Sequence, residues 1–233
     1  MRLGVVTIGQ TPRIDLTPEL AELLPGVEFV ERGVLDGCTP DEIAALAPTV
    51  DDHALTTRLA DGGSAIIGEA AVMRRLPAIL AALEEEVDAI LLACTGPFPP
   101  MPSSKPFFVP DRIIAHAVAA AAPQGAPVGI IAPLPEQEDD TRRKFRAVLG
   151  GDAPVLVAAA SPYTGTEERL REAGRELASD GATLIAMDCF GYTAAMRSVV
   201  ADETGLPVVV ARSVSARLAA EVLGAPETER AAP

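Results

Sequence analysis

The sequence predicts an α/β protein with two similar lobes, each a parallel sheet flanked by helices, and an active-site cleft between them. Short apolar runs alternate with helical patterns along most of the chain, which is typical of βα units. Two of these runs are followed by a cysteine and, two positions later, by a glycine: Cys94 with Gly96, and Cys189 with Gly191. Because parallel-sheet proteins bind ligands beyond the carboxyl ends of their strands, this repeat predicts that both cysteines reach one cleft.

The predicted strands are the apolar runs LGVVTI, VEFVE, SAIIG, AILLA, PFFV, VGIIA, VLVAA, TLIAM and PVVVA. The pattern EAAVMRRLPAILAALEEEV predicts a long helix that Pro77 kinks or splits in two. The pattern TGTEERLREAGRELASDG predicts a helix that opens with a capping box of Thr164 and Glu167 and stops at Gly181.

The strand and helix pattern repeats in the two halves of the chain, with more residues before the cysteine in the first half. We predict a first lobe formed by residues 1–112 and 212–224, and a second lobe formed by residues 113–211. The last stretch, residues 225–233, is polar and flanked by proline, which predicts a disordered tail.

Charge and hydropathy argue against two classes of partner. The chain has 19 basic and 33 acidic residues, and its net charge of −14 repels phosphate backbones and anionic lipids. We therefore expect neither a nucleic-acid partner nor a membrane partner. Charged residues, glycine or proline interrupt every apolar run before it could span a bilayer, and the N-terminal run is too short for a signal peptide. A cytoplasmic location is the expectation.

The scarcity of lysine and histidine favours chemistry without a cofactor. The lysines are Lys105, in a proline-rich loop, and Lys144, which is expected on a charged helix face, so a lysine-bound pyridoxal group has few anchors. The histidines His53 and His116 are far apart in the sequence and form neither a zinc-binding pattern nor part of a Ser-His-Asp triad. We predict no cofactor and no metal.

The cysteines are predicted to be free thiols, because an odd number without a secretory signal argues against a disulfide framework. Two thiols on opposite sides of a carbon can act as base and acid: one thiolate removes a proton, and the other thiol donates one to the opposite face. A thiol pKa of about 8.5 makes both protonation states accessible near neutrality. Alternatively, Cys94 and Cys189 are small buried residues without a chemical role.

The two sites are not equivalent in sequence. Cys189 is expected at a helix N-terminus, which would make it the more readily ionised of the pair, whereas prolines follow Cys94. Asp188 would either raise the pKa of the neighbouring thiol or point away. Cys38 precedes a helix that Thr39 is expected to cap, and it is interpreted as structural.

Four stretches of the sequence together resemble the AroM family: VVTIGQTPRIDLTPEL, TTRLADG, VPDRIIAHAV and AMDCFGYT. The resemblance covers the chain from about Leu3 to Leu223 and extends to the aspartate/glutamate/hydantoin racemase superfamily. It implies a cofactor-independent racemase-like fold, whose members include racemases, a maleate cis-trans isomerase and an arylmalonate decarboxylase. It also implies Cys94 and Cys189 as the matching catalytic positions, and it allows a homodimer, since dimers are common for such folds. The contexts Cys-Thr-Gly and Asp-Cys-Phe depart from the racemase contexts Cys-Asn-Thr and Gly-Cys-Thr, so no particular amino acid is implied.

A small carboxylate needs hydrogen-bond donors and cations around the two thiols. The loop after the first strand offers hydroxyl, backbone N–H and guanidinium groups, and the glycines after the cysteines would let backbone N–H groups approach the substrate carboxylate. The predicted substrate-binding residues are Gly9, Gln10, Thr11, Arg13, Arg58, Thr95, Gly96, Pro133, Gly191, Tyr192 and Thr193. For many of them the alternative is structural: a helix start, a packed ring or a solvated arginine.

The sequence therefore predicts a cofactor-independent racemase, epimerase or isomerase that acts on a small, amino-acid-like carboxylate through two-cysteine acid/base chemistry. Two alternatives stay open: a sensor that binds a small anion without turnover, and a related decarboxylase that needs one competent cysteine.

Overall fold

Two four-stranded parallel sheets form the framework of the protein in the computed structural model, which describes residues 1–226. Most of the predicted tail, residues 227–233, lies outside the described residues. The strands are β1 (Arg2–Thr7), β2 (Glu28–Gly33), β3 (Ala54–Arg58), β4 (Ser64–Gly68), β5 (Ala89–Leu92), β6 (Phe107–Phe108), β7 (Val128–Ala132), β8 (Val155–Ala159), β9 (Leu184–Met187) and β10 (Val208–Val210).

Helices connect the strands and cover the faces of the sheets. They are α1 (Thr17–Leu23), α2 (Pro40–Ala44), α3 (Glu69–Met73), α4 (Leu76–Glu84), α5 (Pro110–Ala121), α6 (Glu138–Leu149), α7 (Glu167–Ser179), α8 (Ala194–Thr204) and α9 (Ala211–Leu223), with a 3-10 helix at Pro135–Gln137 before α6. No helix within residues 1–226 has the length and apolar character needed to cross a bilayer.

The two sheets have the same topology, which confirms the prediction of two similar lobes. The first sheet has the order β2-β1-β5-β6, and the second, read in the same direction, has the order β8-β7-β9-β10. Every neighbouring pair in both sheets is parallel. The strands that precede the two cysteines, β5 and β9, therefore occupy equivalent places, and all four residues of each strand are buried.

One element departs from the parallel pattern. The run SAIIG forms β4, which pairs with β3 in an antiparallel hairpin instead of joining a parallel sheet. The sequence analysis missed β3 because its residues, ALTTR, include only two strong apolar side chains. Leu55 of β3 and Ile67 of β4 lie opposite each other and pack into the core of the first lobe. With α2 and α3, this hairpin makes up the additional segment of the first half.

The helix boundaries confirm two predictions and correct one. Pro77 lies in the first turn of α4, so the long pattern is split into α3 and α4. Thr39 and Glu42 form a capping box at α2. The predicted capping box at Thr164 is wrong, because α7 begins later and its cap is Thr166, whose side chain accepts a hydrogen bond from the Arg169 N–H.

The chain crosses between the lobes through α5 and α9. Ile114 and Val118 of α5 pack with β7, β8 and β9 of the second sheet. Ala216 and Ala219 of α9 pack with β1, β5 and α1 of the first lobe. Helices α5 and α9 also contact each other, so they link the two lobes.

Candidate active site

A cavity of about 380 Å³ lies between the lobes, and both Cys94 and Cys189 line it. Its walls come from the loops that follow β5 and β9, from residues 48–57, which include part of β3, and from α6 with the 3-10 helix before it. The volume falls within the range of about 300–1,000 Å³ that is typical of small-molecule sites. The prediction that both thiols reach one cleft is therefore consistent with the shape of the molecule.

Each thiol is held by the same local contact. The Gly96 N–H donates to Cys94 Sγ, and the Gly191 N–H donates to Cys189 Sγ, both at 3.4 Å. A Cβ atom at Gly96 would lie 2.8 Å from Leu55 Cδ2, so only glycine lets this loop approach the hairpin so closely. The N–H groups expected to bind the substrate carboxylate are instead directed at the sulfur atoms, where they favour the thiolate.

Burial raises the pKa of Cys94 to about 12 and that of Cys189 to about 11, and the glycine N–H donors only partly offset this. The expectation of thiols that titrate close to neutrality is therefore wrong for the ligand-free protein. The lower pKa belongs to Cys189, although not for the expected reason. Helix α8 begins only at Ala194, so Cys189 lies in a loop. There the Gly191 N–H, and after it Arg13 and Arg212, lower the pKa of the thiol, whereas Asp188 raises it.

Lys144 sits in a buried charge cluster beside the thiols, which corrects its expected place on a charged helix face. Its Nζ lies 2.9 Å from both carboxylate oxygens of Asp188 and 2.7 Å from Asp111 Oδ1. The lysine side chain is 16% exposed and that of Asp188 is 5% exposed. Burial lowers the pKa of Lys144, but the two carboxylates raise it by more than burial lowers it. The net shift of the pKa is upward, so the ammonium group stays charged.

The same cluster joins the two cysteine loops. Thr95, the residue after Cys94, donates its hydroxyl to the Asp188 carbonyl at 3.0 Å, and Asp188 precedes Cys189. Lys144 Nζ also donates to the Thr95 carbonyl at 3.4 Å. These contacts connect the loop after β5 with the loop after β9.

Arg212 supports the second cysteine loop from behind. Its side chain is fully buried, pairs with Glu19 at 2.8 Å, and donates to the carbonyls of Phe190 at 2.9 Å and Gly191 at 3.0 Å. Nothing in the local sequence distinguishes it from the other arginines, because its partners are distant in the chain. The sequence analysis therefore had no signal for this residue.

Of the predicted binding residues, Thr95, Gly96 and Pro133 line the cavity together with the two cysteines. The loop after β1 serves another purpose. Gln10 donates to the carbonyls of Leu35 and Cys38, both at 3.4 Å, and the Thr11 hydroxyl donates to Asp36 at 2.8 Å.

Gly9, in the same loop, has no space for a side chain, because a Cβ atom would lie 2.2 Å from the Arg58 carbonyl oxygen. The described cavity wall does not include Gly9, Gln10 or Thr11. Gln10 contacts the hairpin through Arg58 and Ala60, and Thr11 contacts the loop after β2.

Arg13 and Arg58 contact Tyr163, which forms part of the cavity wall. The Arg58 guanidinium stacks 5.0 Å from the centroid of the tyrosine ring, and Arg13 donates to the tyrosine hydroxyl at 3.4 Å. Arg13 also pairs with Asp15 at 2.8 Å and is almost fully buried. Neither arginine is among the described residues of the cavity wall, whereas Tyr163, which the sequence analysis missed, is.

Of the residues after Cys189, Phe190 lines the cavity, whereas Gly191, Tyr192 and Thr193 are not part of its described wall. Tyr192 is fully buried, and its hydroxyl donates to the Ala160 carbonyl at 2.5 Å. These contacts are those of a ring packed in the core, the alternative to substrate binding. Thr193 caps α8 by accepting a hydrogen bond from the Met196 N–H at 3.1 Å. Gly191 lies behind the thiol and faces the Tyr163 ring, where a Cβ atom would lie 2.7 Å from the ring.

Cross-lobe contacts border the cavity next to the hairpin. His53 Nδ1 lies 2.6 Å from Asp140 Oδ2, and Gln137 Nε2 donates to the Ala54 carbonyl at 2.7 Å. They tie the start of β3 to the second lobe. Sequence reasoning missed them because β3 itself was not predicted.

The described residues contain no cluster suited to a metal ion. Within residues 1–226, no three or more histidine, cysteine, aspartate or glutamate side chains come together as ligands. The functional groups that the cavity wall offers for chemistry include two thiols, one ammonium group, carboxylates and a tyrosine hydroxyl.

Solved structures share this architecture. A glutamate racemase isoform from Bacillus anthracis matches with a TM-score of 0.59 at 13% identity, over 96% of this chain and 81% of that one. An allantoin racemase from Klebsiella pneumoniae matches with a TM-score of 0.58 at 18% identity, over 100% and 96% of the two chains. An unliganded arylmalonate decarboxylase matches with a TM-score of 0.57 at 15% identity, over 98% and 95%. At these identities the likeness shows the fold: two parallel sheets flanked by helices, as in the racemases.

No curated protein sequence matches the chain. The family described as AroM protein does match it, over residues 3–223, which is nearly the full length and includes both cysteine loops. The chain therefore belongs to the AroM family.

Proposed function

We propose that the protein is a cofactor-independent racemase, epimerase or isomerase of a small, amino-acid-like carboxylate. The observation that carries this proposal is the placement of Cys94 and Cys189 at equivalent strand ends of two sheets, where both line one cavity. A carbon bound between them would present one face to each thiol. Inversion at that carbon needs a base on one face and an acid on the other, and little further machinery.

In the proposed reaction, the thiolate of one cysteine removes the proton from the carbon next to the carboxylate. The electron pair of the broken C–H bond stays on the substrate and is delocalised into the carboxylate. The thiol of the other cysteine then transfers its proton to the opposite face, which leaves that sulfur as the thiolate. The roles of Cys94 and Cys189 are exchanged in the reverse direction.

The surroundings of the thiols support acid and base roles for the two cysteines. Cys189 has the lower pKa, about 11, so it forms a thiolate more readily than Cys94. The backbone N–H groups of Gly96 and Gly191 would stabilise whichever sulfur is charged. The Thr95, Asp188 and Lys144 contacts connect the loops that carry the two thiols.

The structural neighbours support the reaction class. One of them is a glutamate racemase from Francisella tularensis in complex with D-glutamate, and another is an allantoin racemase. Both names describe inversion at a carbon next to a carbonyl group. The proposed location is the cytoplasm, where the three free cysteines would stay reduced.

Decarboxylation is a second candidate, and the raised thiol pKa values favour it. With pKa values of about 12 and 11, both thiols carry their protons at neutral pH. Loss of CO₂ from a substrate with two carboxylates on one carbon leaves an electron pair on that carbon. One neutral thiol is then enough to protonate it, so no thiolate is needed at the start. An arylmalonate decarboxylase is among the structural neighbours.

Deuterium incorporation from heavy water tests the proposal. A panel of amino acids, hydroxy acids and dicarboxylates is incubated with the wild-type protein, Cys94→Ala and Cys189→Ala, and exchange at the carbon next to the carboxylate is followed by NMR. The two-cysteine reaction predicts exchange with the wild type and its loss in both variants. Cys38→Ala is the matched control, because that thiol lies outside the cavity wall, and it should keep full exchange.

The other outcomes assign the alternatives. Full turnover in either cavity-cysteine variant would sink the two-cysteine reaction. CO₂ release from malonates, lost in only one variant, would establish decarboxylation. Thermal stabilisation by a panel member without exchange or CO₂ release in any protein would indicate a sensor that binds without turnover.

A further inference from the structure

We propose that the substrate carries a cationic group at the end remote from its reacting carbon, as a basic amino acid does, and that a carboxylate at that remote end is excluded. This inference rests on the proposed function, because it concerns the same cavity. It is carried by the charges of the cavity wall and by the absence of any arginine from the described wall residues.

Acidic side chains dominate the wall. The cationic or protonatable side chains that line the cavity are Lys144 and His53. The acidic ones are Asp52, Asp111, Glu136, Asp140 and Asp188. Clefts lined by one sign of charge focus their potential on the ligand, so this wall attracts cations and repels anions.

The one ammonium group of the described wall, that of Lys144, already pairs with two carboxylates. Lys144 Nζ donates to Asp188 at 2.9 Å and to the Thr95 carbonyl at 3.4 Å, and it forms an ion pair with Asp111 Oδ1 at 2.7 Å. Two carboxylates and one ammonium leave this cluster with an excess negative charge. A substrate carboxylate placed here would have no free cation to pair with, whereas an α-ammonium group would find a carboxylate.

Elsewhere in the wall, Asp52 and Glu136 make no ion pair with any residue that the structure describes. Asp140 is balanced, because His53 lies 2.6 Å from it and the Arg143 guanidinium also contacts it. Asp52 accepts a hydrogen bond from the Ala70 N–H at 3.1 Å. Glu136 is exposed. Its carboxylate is free to meet a cationic end of the substrate.

The arginines near the site are not part of the described cavity wall. Arg13 pairs with Asp15, and Arg58 donates to the Gly62 carbonyl at 2.6 Å. Both contact Tyr163. Arg212 is fully buried against Glu19. A dicarboxylate would therefore enter a cavity that has five acidic groups and no free guanidinium.

The experiment compares two matched pairs of substrates. Deuterium exchange is measured for lysine against norleucine, which has a similar chain without the charge, and for glutamate against its neutral isostere glutamine. We expect kcat/KM to be about tenfold higher for lysine than for norleucine, and lower for glutamate than for glutamine. Norleucine equal to or better than lysine, or glutamate equal to or better than glutamine, would overturn the inference.

A single variant tests the role of Glu136. Glu136→Gln removes an unopposed charge and should lower the lysine-to-norleucine ratio by about threefold to tenfold. Asp139→Asn is the matched control: this aspartate is 83% exposed on α6, pairs with Arg142 and lies outside the cavity wall, so the ratio should not change. An unchanged ratio in Glu136→Gln, or an equal fall in the control, contradicts the assignment.

Binding measured without turnover separates this inference from the proposed reaction. If none of the four amino acids exchanges, the proposed reaction fails for this substrate class, and titration calorimetry with the same four compounds decides the inference. Tighter binding of lysine than of norleucine and glutamate supports a cation-selective cavity without that chemistry. Equal or tighter binding of glutamate, or no binding of any of the four, overturns it.

Discussion

Replacing Lys144 with methionine removes one buried charge while keeping an unbranched side chain of similar length. In the wild type, its Nζ lies 2.9 Å from both oxygens of Asp188 and 2.7 Å from Asp111. The side chains of the two aspartates are 5% and 17% exposed. Without the ammonium group, two carboxylates are left in a poorly hydrated site with no cation.

The expected loss of stability is large. Removing one partner of a buried ion pair costs about 3–5 kcal/mol, because the remaining charge is uncompensated. Urea unfolding followed by circular dichroism measures this free energy. With a urea m-value of about 2–3 kcal/mol/M, the midpoint of Lys144→Met should fall by about 1–2 M.

The deficit should shrink at acid pH. Burial already raises the pKa of Asp188, and Lys144 is the main group that lowers it, so the variant raises this pKa further. A carboxyl whose pKa is higher in the folded than in the unfolded state binds more protons when folded, and stability then increases as pH falls. Compared with the wild type, Lys144→Met should therefore lose less stability at about pH 5 than at about pH 7.

Arg142→Met is the matched control on the same helix. Its partner Asp139 is 83% exposed, and such a surface pair contributes at most about 1 kcal/mol. A loss below about 1 kcal/mol for Lys144→Met would refute the buried-cluster reasoning. So would a deficit of equal size at both pH values, since the uncompensated carboxylate would then not be its cause.

Two further predictions concern the cysteine loops. Since burial raises the thiol pKa values to about 11 for Cys189 and about 12 for Cys94, alkylation by iodoacetamide should accelerate about tenfold per pH unit between about pH 7 and pH 10, with Cys189 reacting faster. Site-resolved mass spectrometry measures both rates, and a plateau below about pH 9 would contradict the pKa assignments. Gly191→Ala places a Cβ atom 2.7 Å from a tyrosine ring and should cost about 1–3 kcal/mol in urea unfolding. Gly151→Ala, where a Cβ atom meets nothing within 4 Å, is its control, and equal losses in the two variants would show that the close contact does not matter.

Much of the architecture was predictable because it depends on local patterns. The runs SAIIG, VGIIA and VLVAA coincide with β4, β7 and β8, since continuous apolar runs bounded by turns are typical of buried strands. The pairing of β4 was not predictable in the same way. The partner of a strand depends on a segment elsewhere in the chain. The apolar pattern of β3 is too weak for the segment to be recognised as a strand from the sequence.

The predicted binding residues show the same difference between local sequence patterns and contacts with distant segments. Thr95 and Gly96, predicted to bind the substrate because they adjoin Cys94 in the sequence, line the cavity. Gln10 and Thr11 were expected at the substrate because they follow a strand, but the additional hairpin and the loop after β2 engage them instead. An inserted segment that packs over the end of a strand gives the side chains at that end new partners, although the sequence there is unchanged.

The sequence by itself determined the α/β class, the two lobes and the position of each cysteine at the end of a buried strand, because apolar periodicity and strand ends are properties of short segments. Only the tertiary structure decided the chemistry around them. The helix pattern TRRKFRAVL does not reveal that Lys144 turns inward, since its partners Asp111 and Asp188 come from other segments. The thiol pKa values likewise follow from burial, and burial exists only once both lobes have closed around the cavity.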